Sequence, residues 1–174
     1  MTPNQFSINL GKVLVNNGLK FIQQGFHINP KECGWQEMID FISAKLNIQL
    51  SLKDRKFYLI DWETWKQFIK IDWIEEKKYI EDRFDCDNFA QTFSAHASEL
   101  FDISVATCYG KVYHKNNNQF IDYHEWSVII TKEIDGAKHL YFYEPMNDQS
   151  VEVLDKNNIT IANWRYEPIK IYVW

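Results

Sequence analysis

The strongest constraint on this chain's fold lies in its C-terminal part. From Ser104 onward it reads SVATCYGKVYH, EWSVIITKEI, KHLYFYEP, QSVEVL and PIKIYVW, with NNN, DG, ND and KNN between the runs. β-Branched and aromatic residues suit a pleated, half-buried surface, and Asn, Asp and Gly supply the reversals. An antiparallel sheet is therefore expected. DGAK between two such runs is a hairpin signal, so Trp126 to Glu133 and His139 to Tyr143 should be paired neighbours.

The first half has a different texture. Residues 1 to 31 mix short apolar runs such as KVLV and LKFI with turn signals, predicting strands or loops. From Glu32 to about Leu46, residues Trp35, Met38, Ile39, Ile42 and Leu46 fall at helical spacing. Trp65, Phe68, Ile69, Trp73 and Ile74 do the same in a second helical region from Trp62 to Ile80, and KFYLI between the two reads as a short strand. A third stripe, Phe89, Ala90, Phe93, Ala97, Leu100 and Phe101, predicts a helix that begins at Cys86 behind Asp85 as N-cap. Helices first and a meander second is α+β order. With no repeat or linker, one domain over 1–174 is expected, residues 1–31 forming an N-terminal embellishment.

A length of 174 residues and 45% hydrophobic content allow a substantial core. A net charge of −5 provides no broad basic field, which argues against a nucleic-acid partner. The chain starts without a basic, then apolar, leader, and no run approaches the roughly 18 apolar residues of a membrane span. The expectation is no signal peptide, no membrane, and a cytoplasmic or virion location. Cys33, Cys86 and Cys108 form no CxxC pair, so neither a disulfide framework nor a thiolate zinc site is indicated.

The chemistry concentrates in DCDNFA, where Cys86 stands between Asp85 and Asp87 at a helix start. Carboxylates beside a thiol disfavour its anion, whereas a helix N-terminus favours it. For Cys86 to act as a nucleophile the two aspartates must turn away from the sulfur. His124, at the start of an expected strand, and Glu144, at the end of its expected partner, supply a base and a group to orient it.

DCDNFA, followed by His124 and then Glu144, resembles a papain-like cysteine protease domain, that of the C-terminal part of the Marasmius oreades agglutinin, and related phage-borne proteins. The likeness covers roughly residues 60 to 148. It implies a papain-like α+β fold with the cysteine-bearing helix packed on the C-terminal antiparallel sheet. It implies hydrolysis of a peptide-type amide by a catalytic triad of Cys86 nucleophile, His124 base and Glu144 orienting acid. Dependence on Ca²⁺ or Mn²⁺ is also implied, with Asp87 as a metal ligand, and no organic cofactor. Peptide or peptidoglycan-like amides are the substrates to expect. The pattern departs from that family where a glutamine is expected for the oxyanion hole: Tyr79, Ile80 and Glu81 stand there.

Each of these residues also has a plain structural reading. Cys86 suits a buried small hydrophobe, His124 a ring covering Trp126, Glu144 a strand-terminal acid, and Asp87 a first-turn acid favoured by the helix dipole. Cys33 and Cys108 read as structural, and Trp62, Trp65 and Trp73 as core. The rival function is therefore a noncatalytic binding or structural module, such as a phage particle component. A third reading is acyl transfer of transglutaminase type, which uses the same three residues.

Overall fold

The computed structural model describes residues 28–154, 156, 157 and 159–174. Residues 1–27, with most of the strands or loops expected before residue 31, lie outside the described residues. In chain order the elements are β1 (Lys31–Gly34), α1 (Trp35–Lys45), β2 (Gln49–Leu52), β3 (Lys56–Leu59), α2 (Trp62–Ile69), a 3₁₀ turn (Ile74–Glu76) and α3 (Cys86–Phe101). Six strands follow: β4 (Ala106–His114), β5 (Phe120–Lys132), β6 (Lys138–Glu144), β7 (Gln149–Glu152), β8 (Ile159–Ile161) and β9 (Trp164–Val173).

The main sheet runs β2-β9-β4-β5-β6-β7, with β8 paired to β9. Its contacts are antiparallel except one: β2 lies parallel to β9, with Leu50 opposite Ile171. The hairpin expected at DGAK forms, Val128 facing Phe142 and Ile130 facing Leu140. Its turn needs the positive φ of Gly136, +88°, and Ala137 N donates to Asp135 Oδ1 at 2.9 Å.

β5 is buried on both faces. Trp126, Val128 and Ile130 enter a core completed by Met38 and Ile42 of α1, by Leu46 just past its end and by Phe57 of β3. Ile129 points the other way, into a second core with Trp65 and Phe68 of α2 and Phe89, Phe93 and Ala97 of α3. Phe93 is the hub there, its ring 4.5 Å from Tyr143, 5.3 Å from Phe68 and 6.0 Å from Trp65. Each such fully buried apolar side chain is worth about 1.5–3 kcal/mol. Together they fix α3 over β5, where Ser127 Oγ donates to Ala90 O at 3.4 Å.

Several expectations are corrected. The first helix begins at Trp35, not Glu32, because Cys33 is buried opposite Phe57 in a two-stranded ribbon of β1 and β3. The second ends at Ile69 rather than Ile80. Asp61 caps its start, accepting from Thr64 N at 2.9 Å, but beyond residue 70 the chain is anchored sideways. Asp72 binds His96 of α3 at 2.5 Å, and Trp73 lies 4.6 Å from the same ring. Apolar period cannot distinguish a continued helix from a loop pinned by its large residues.

The α+β, papain-like architecture is corrected as well. The described chain is mostly β, with three short helices interleaved among nine strands, and its first and last sheet strands are joined in parallel. Helices before sheet was the wrong order because β1, β2 and β3 are too short to outweigh their helical neighbours in sequence. Among the described residues no helix is long and apolar enough to cross a membrane.

Gly110 of β4 faces His124 of β5, and a Cβ there would stand 2.3 Å from Glu167 O and 2.7 Å from the Trp126 ring. Gly110→Ala is expected to lower stability by about 1–3 kcal/mol or more, measured as an earlier urea midpoint with unchanged slope.

Candidate functional site

α3 opens in the way its sequence dictates. Asp85 is extended at the N-cap and forms a reciprocal capping box with Asn88, whose Oδ1 accepts from Asp85 N at 3.2 Å. Asp87 Oδ1 accepts from Asn88 N at 2.8 Å. A hydrogen bond to Asp87, then partial burial, pushes the Asp85 carboxyl above its ordinary range. The flanking acids are thus engaged with the helix's first turn and with each other. Just upstream, Ile80 and Phe84 exchange backbone hydrogen bonds at 2.8 Å around Asp82, whose φ of +56° is the left-handed conformation Asp tolerates. This tight reversal brings Tyr79 back to the cleft that Cys86 lines.

His124 lies within β5 rather than at its start, four residues after Phe120, and Glu144 ends β6. His124 Nε2 meets Glu144 Oε2 at 2.6 Å, and the Cys86 thiol is the ring's other hydrogen-bonding neighbour. The structure therefore brings Cys86, His124 and Glu144 together from α3, β5 and β6. Burial alone would push the imidazolium pKa down. Hydrogen bonds to Cys86 and Glu144, and their charges, outweigh it and lift the value from 6.5 to about 10. Glu144 is 2% exposed and lies within reach of a second donor, the Tyr166 hydroxyl.

These groups face a cleft of about 450 Å³, lined also by Tyr79, Val112, Met146 and Trp164. Sequence reasoning noted Tyr79 only as a departure from a motif and missed Trp164 and Tyr166 altogether. β9 carries both of the latter, and only its register against β4, with Tyr166 beside Val112, delivers them to the site. Trp62, Trp65 and Trp73 stay away from the cleft: Trp65 is core, Trp62 stacks on Tyr141 at 3.9 Å, and Trp73 packs on His96. Cys33 and Cys108 are buried. Desolvation, then the Glu37 carboxylate, pushes the Cys33 thiol up to about 11, and burial also raises Cys108 well above its ordinary range.

The divalent cation expected at Asp87 finds a poor donor set. Among the described residues no group of three or more His, Cys, Asp or Glu side chains is arranged to hold a metal ion, and the nearest acid to Asp87 at the helix start is its hydrogen-bonded neighbour Asp85. A hard cation takes six or more oxygens, so these two carboxylates do not make a site by themselves.

No family model matches the chain, and no curated protein matches it in sequence. Several solved structures share its fold, PSL1a and Polyporus squamosus lectin among them. PSL1a in complex with E64 is 14% identical, with a TM-score of 0.55 over 81% of this chain and 51% of that one. Polyporus squamosus lectin, bound to the human-type influenza-binding epitope Neu5Aca2-6Galb1-4GlcNAc, is 13% identical, with a TM-score of 0.57 over 81% of this chain and 49% of that one. The chain spans about half the length of these structures. The papain-like cysteine protease assignment, with its hydrolase and thiol-protease description, is corrected by this finding: the fold that the chain shares is that of lectin chains. A six-residue motif at a helix start is too local to specify the sheet around it.

The raised pKa of His124 has a thermodynamic consequence. The folded state holds this proton more tightly than the unfolded chain, so the contribution to stability is full below about pH 6.5 and is lost as pH rises toward about 10. Urea melts across that window should show stability falling with pH, and the slope should shrink in His124→Gln.

Proposed function

We propose that the Cys86 cleft is a nucleophilic thiol site that opens an amide bond by acyl transfer. The observation that carries this reading is the unbroken line from Cys86 to His124 to Glu144, with the sulfur end on the cleft and the carboxylate end buried. In the reaction, the Cys86 thiolate attacks the carbonyl carbon, a C–S bond forms, and the carbonyl oxygen takes the electron pair. Cys86 is the first residue of α3, where backbone N–H groups have no partner within the helix, so its own N–H is placed to donate to that oxygen. Collapse breaks the C–N bond, and His124 gives its proton to the departing amine. Water or a second amine then attacks the thioester, loses its proton to His124, and releases the thiolate.

The substrates that suit this chemistry are peptide- or peptidoglycan-type amides. Among the described residues that line the cleft, Asp122 and Glu144 are acidic and none is Lys or Arg, which disfavours anionic groups near the sulfur. E64, carried by one of the fold neighbours, is an irreversible thiol-directed inhibitor, and a reactive thiol on this scaffold is in keeping with it.

A second reading, glycan binding without covalent chemistry, is favoured by the sialylated trisaccharide on the other neighbour. Tyr79, Tyr166 and Trp164 supply rings against which a sugar face can lie.

Labelling separates the two. E64 and iodoacetamide are expected to modify Cys86 at least about tenfold faster than Cys33 or Cys108, whose thiols are buried. Mass mapping reads this, and Cys86→Ala should abolish turnover of any amide that the wild type cleaves. Equal, slow labelling of all three thiols, together with calorimetric binding of the trisaccharide that Cys86→Ala leaves intact, would replace the first reading with the second.

A further inference from the structure

Two donors share one oxygen in this site. Glu144 Oε2 meets His124 Nε2 at 2.6 Å and also accepts from the Tyr166 hydroxyl at 3.2 Å. Glu144 Oε1, by contrast, is buried with no hydrogen-bond partner among the described residues. Tyr166 is itself 3% exposed. Its ring lies edge-on to Trp126, centroids 4.9 Å apart, and tilted to His124 at 6.2 Å. Strands β5, β6 and β9 thus converge on a single carboxylate oxygen.

We infer that Tyr166 is a positioning residue of the Cys86 site: its hydroxyl holds the Glu144 carboxylate toward His124 and draws charge from the shared oxygen, keeping the imidazole's proton available to the cleft. The inference rests on the thiol reading above and deepens it. A carboxylate with one hydrogen-bonded partner in a dry site would concentrate its charge on His124 and hold the imidazolium more tightly. A general acid held too tightly gives up its proton slowly. Tyr166 moderates that pull without adding charge, because burial and the adjacent Glu144 keep its phenol protonated far above the ordinary range. The other titratable groups around His124 are Cys86 from α3, Tyr79, Asp122 and Tyr123 lining the same cleft, and the neighbouring Glu125 of its own strand.

The test is Tyr166→Phe, which keeps the ring packing and removes only the O–H. Two readouts are followed: the NMR titration midpoint of the His124 imidazole and the pH profile of Cys86 alkylation by iodoacetamide. The midpoint should rise by about half a unit to one unit, the equivalent of one net hydrogen bond. The profile's limb that reports His124 should move with it. In a Glu144→Gln background the same substitution should shift nothing, since its effect passes through the carboxylate. If Tyr166→Phe does not fold, 3,5-difluorotyrosine at position 166, a stronger donor, should move the midpoint down. An unmoved midpoint, a shift of opposite sign, or a shift that persists with Glu144→Gln would overturn the role. Normal E64 labelling with an unmoved midpoint removes Tyr166 alone; a shifted midpoint without selective labelling removes the nucleophile reading alone.

Discussion

The two-sided burial of β5 is the constraint on which this molecule depends. An antiparallel strand normally has one wet face, and its sequence then alternates. Here Trp126, Val128 and Ile130 complete one core while Ser127, Ile129 and Thr131 sit under α2 and α3. The strand cannot shift by one residue without exchanging its two core faces, so its register is tightly specified. His124 lies on the same strand, two residues before Trp126, and inherits that precision. Glu144 and Tyr166 arrive from strands whose own registers are fixed against β5 and β4.

Electrostatics then follows from packing. A buried carboxylate is costly unless it is hydrogen-bonded, and Glu144 is held by His124 and Tyr166 at one oxygen. The imidazole between Glu144 and Cys86 gains two partners that favour its charged form, enough to overcome its own desolvation. At the sulfur end the contest between aspartates and helix terminus has a geometric answer. Asp85 is spent on the capping box and Asp87 on the Asn88 N–H, so both carboxylates serve the first turn of α3.

A second group of acids, buried Asp72, half-buried Glu75 and exposed Asp148, lies near Tyr143 and serves the fold. Asp148 accepts from the Tyr143 hydroxyl at 2.5 Å, and Asp72 from His96 at the same distance. Desolvation pushes the Glu75 and Asp148 carboxyls up, and the Asp72 charge adds to both. These contacts explain why the segment after Ile69 leaves its helical path, which the stripe of Trp73 and Ile74 conceals.

The sequence by itself determined the local elements whose cause is local. The DGAK hairpin, the capped start of α3 at Cys86, and the strands from Ala106 onward follow from turn chemistry, a side-chain cap and side-chain periodicity. Three residues that line the cleft together were legible too, because Cys86 stands at a helix start and His124 and Glu144 flank one hairpin. What only the tertiary structure decided is everything carried by distant pairing: the β1–β3 ribbon, the parallel seat of β2 on β9, and a mostly β fold in place of the papain-like α+β one. Tyr166 and Trp164 belong there as well. Nothing within NWRYEP marks them, since their place beside His124 is set by hydrogen bonds to a strand some fifty residues earlier, and no local pattern encodes a partner at that range.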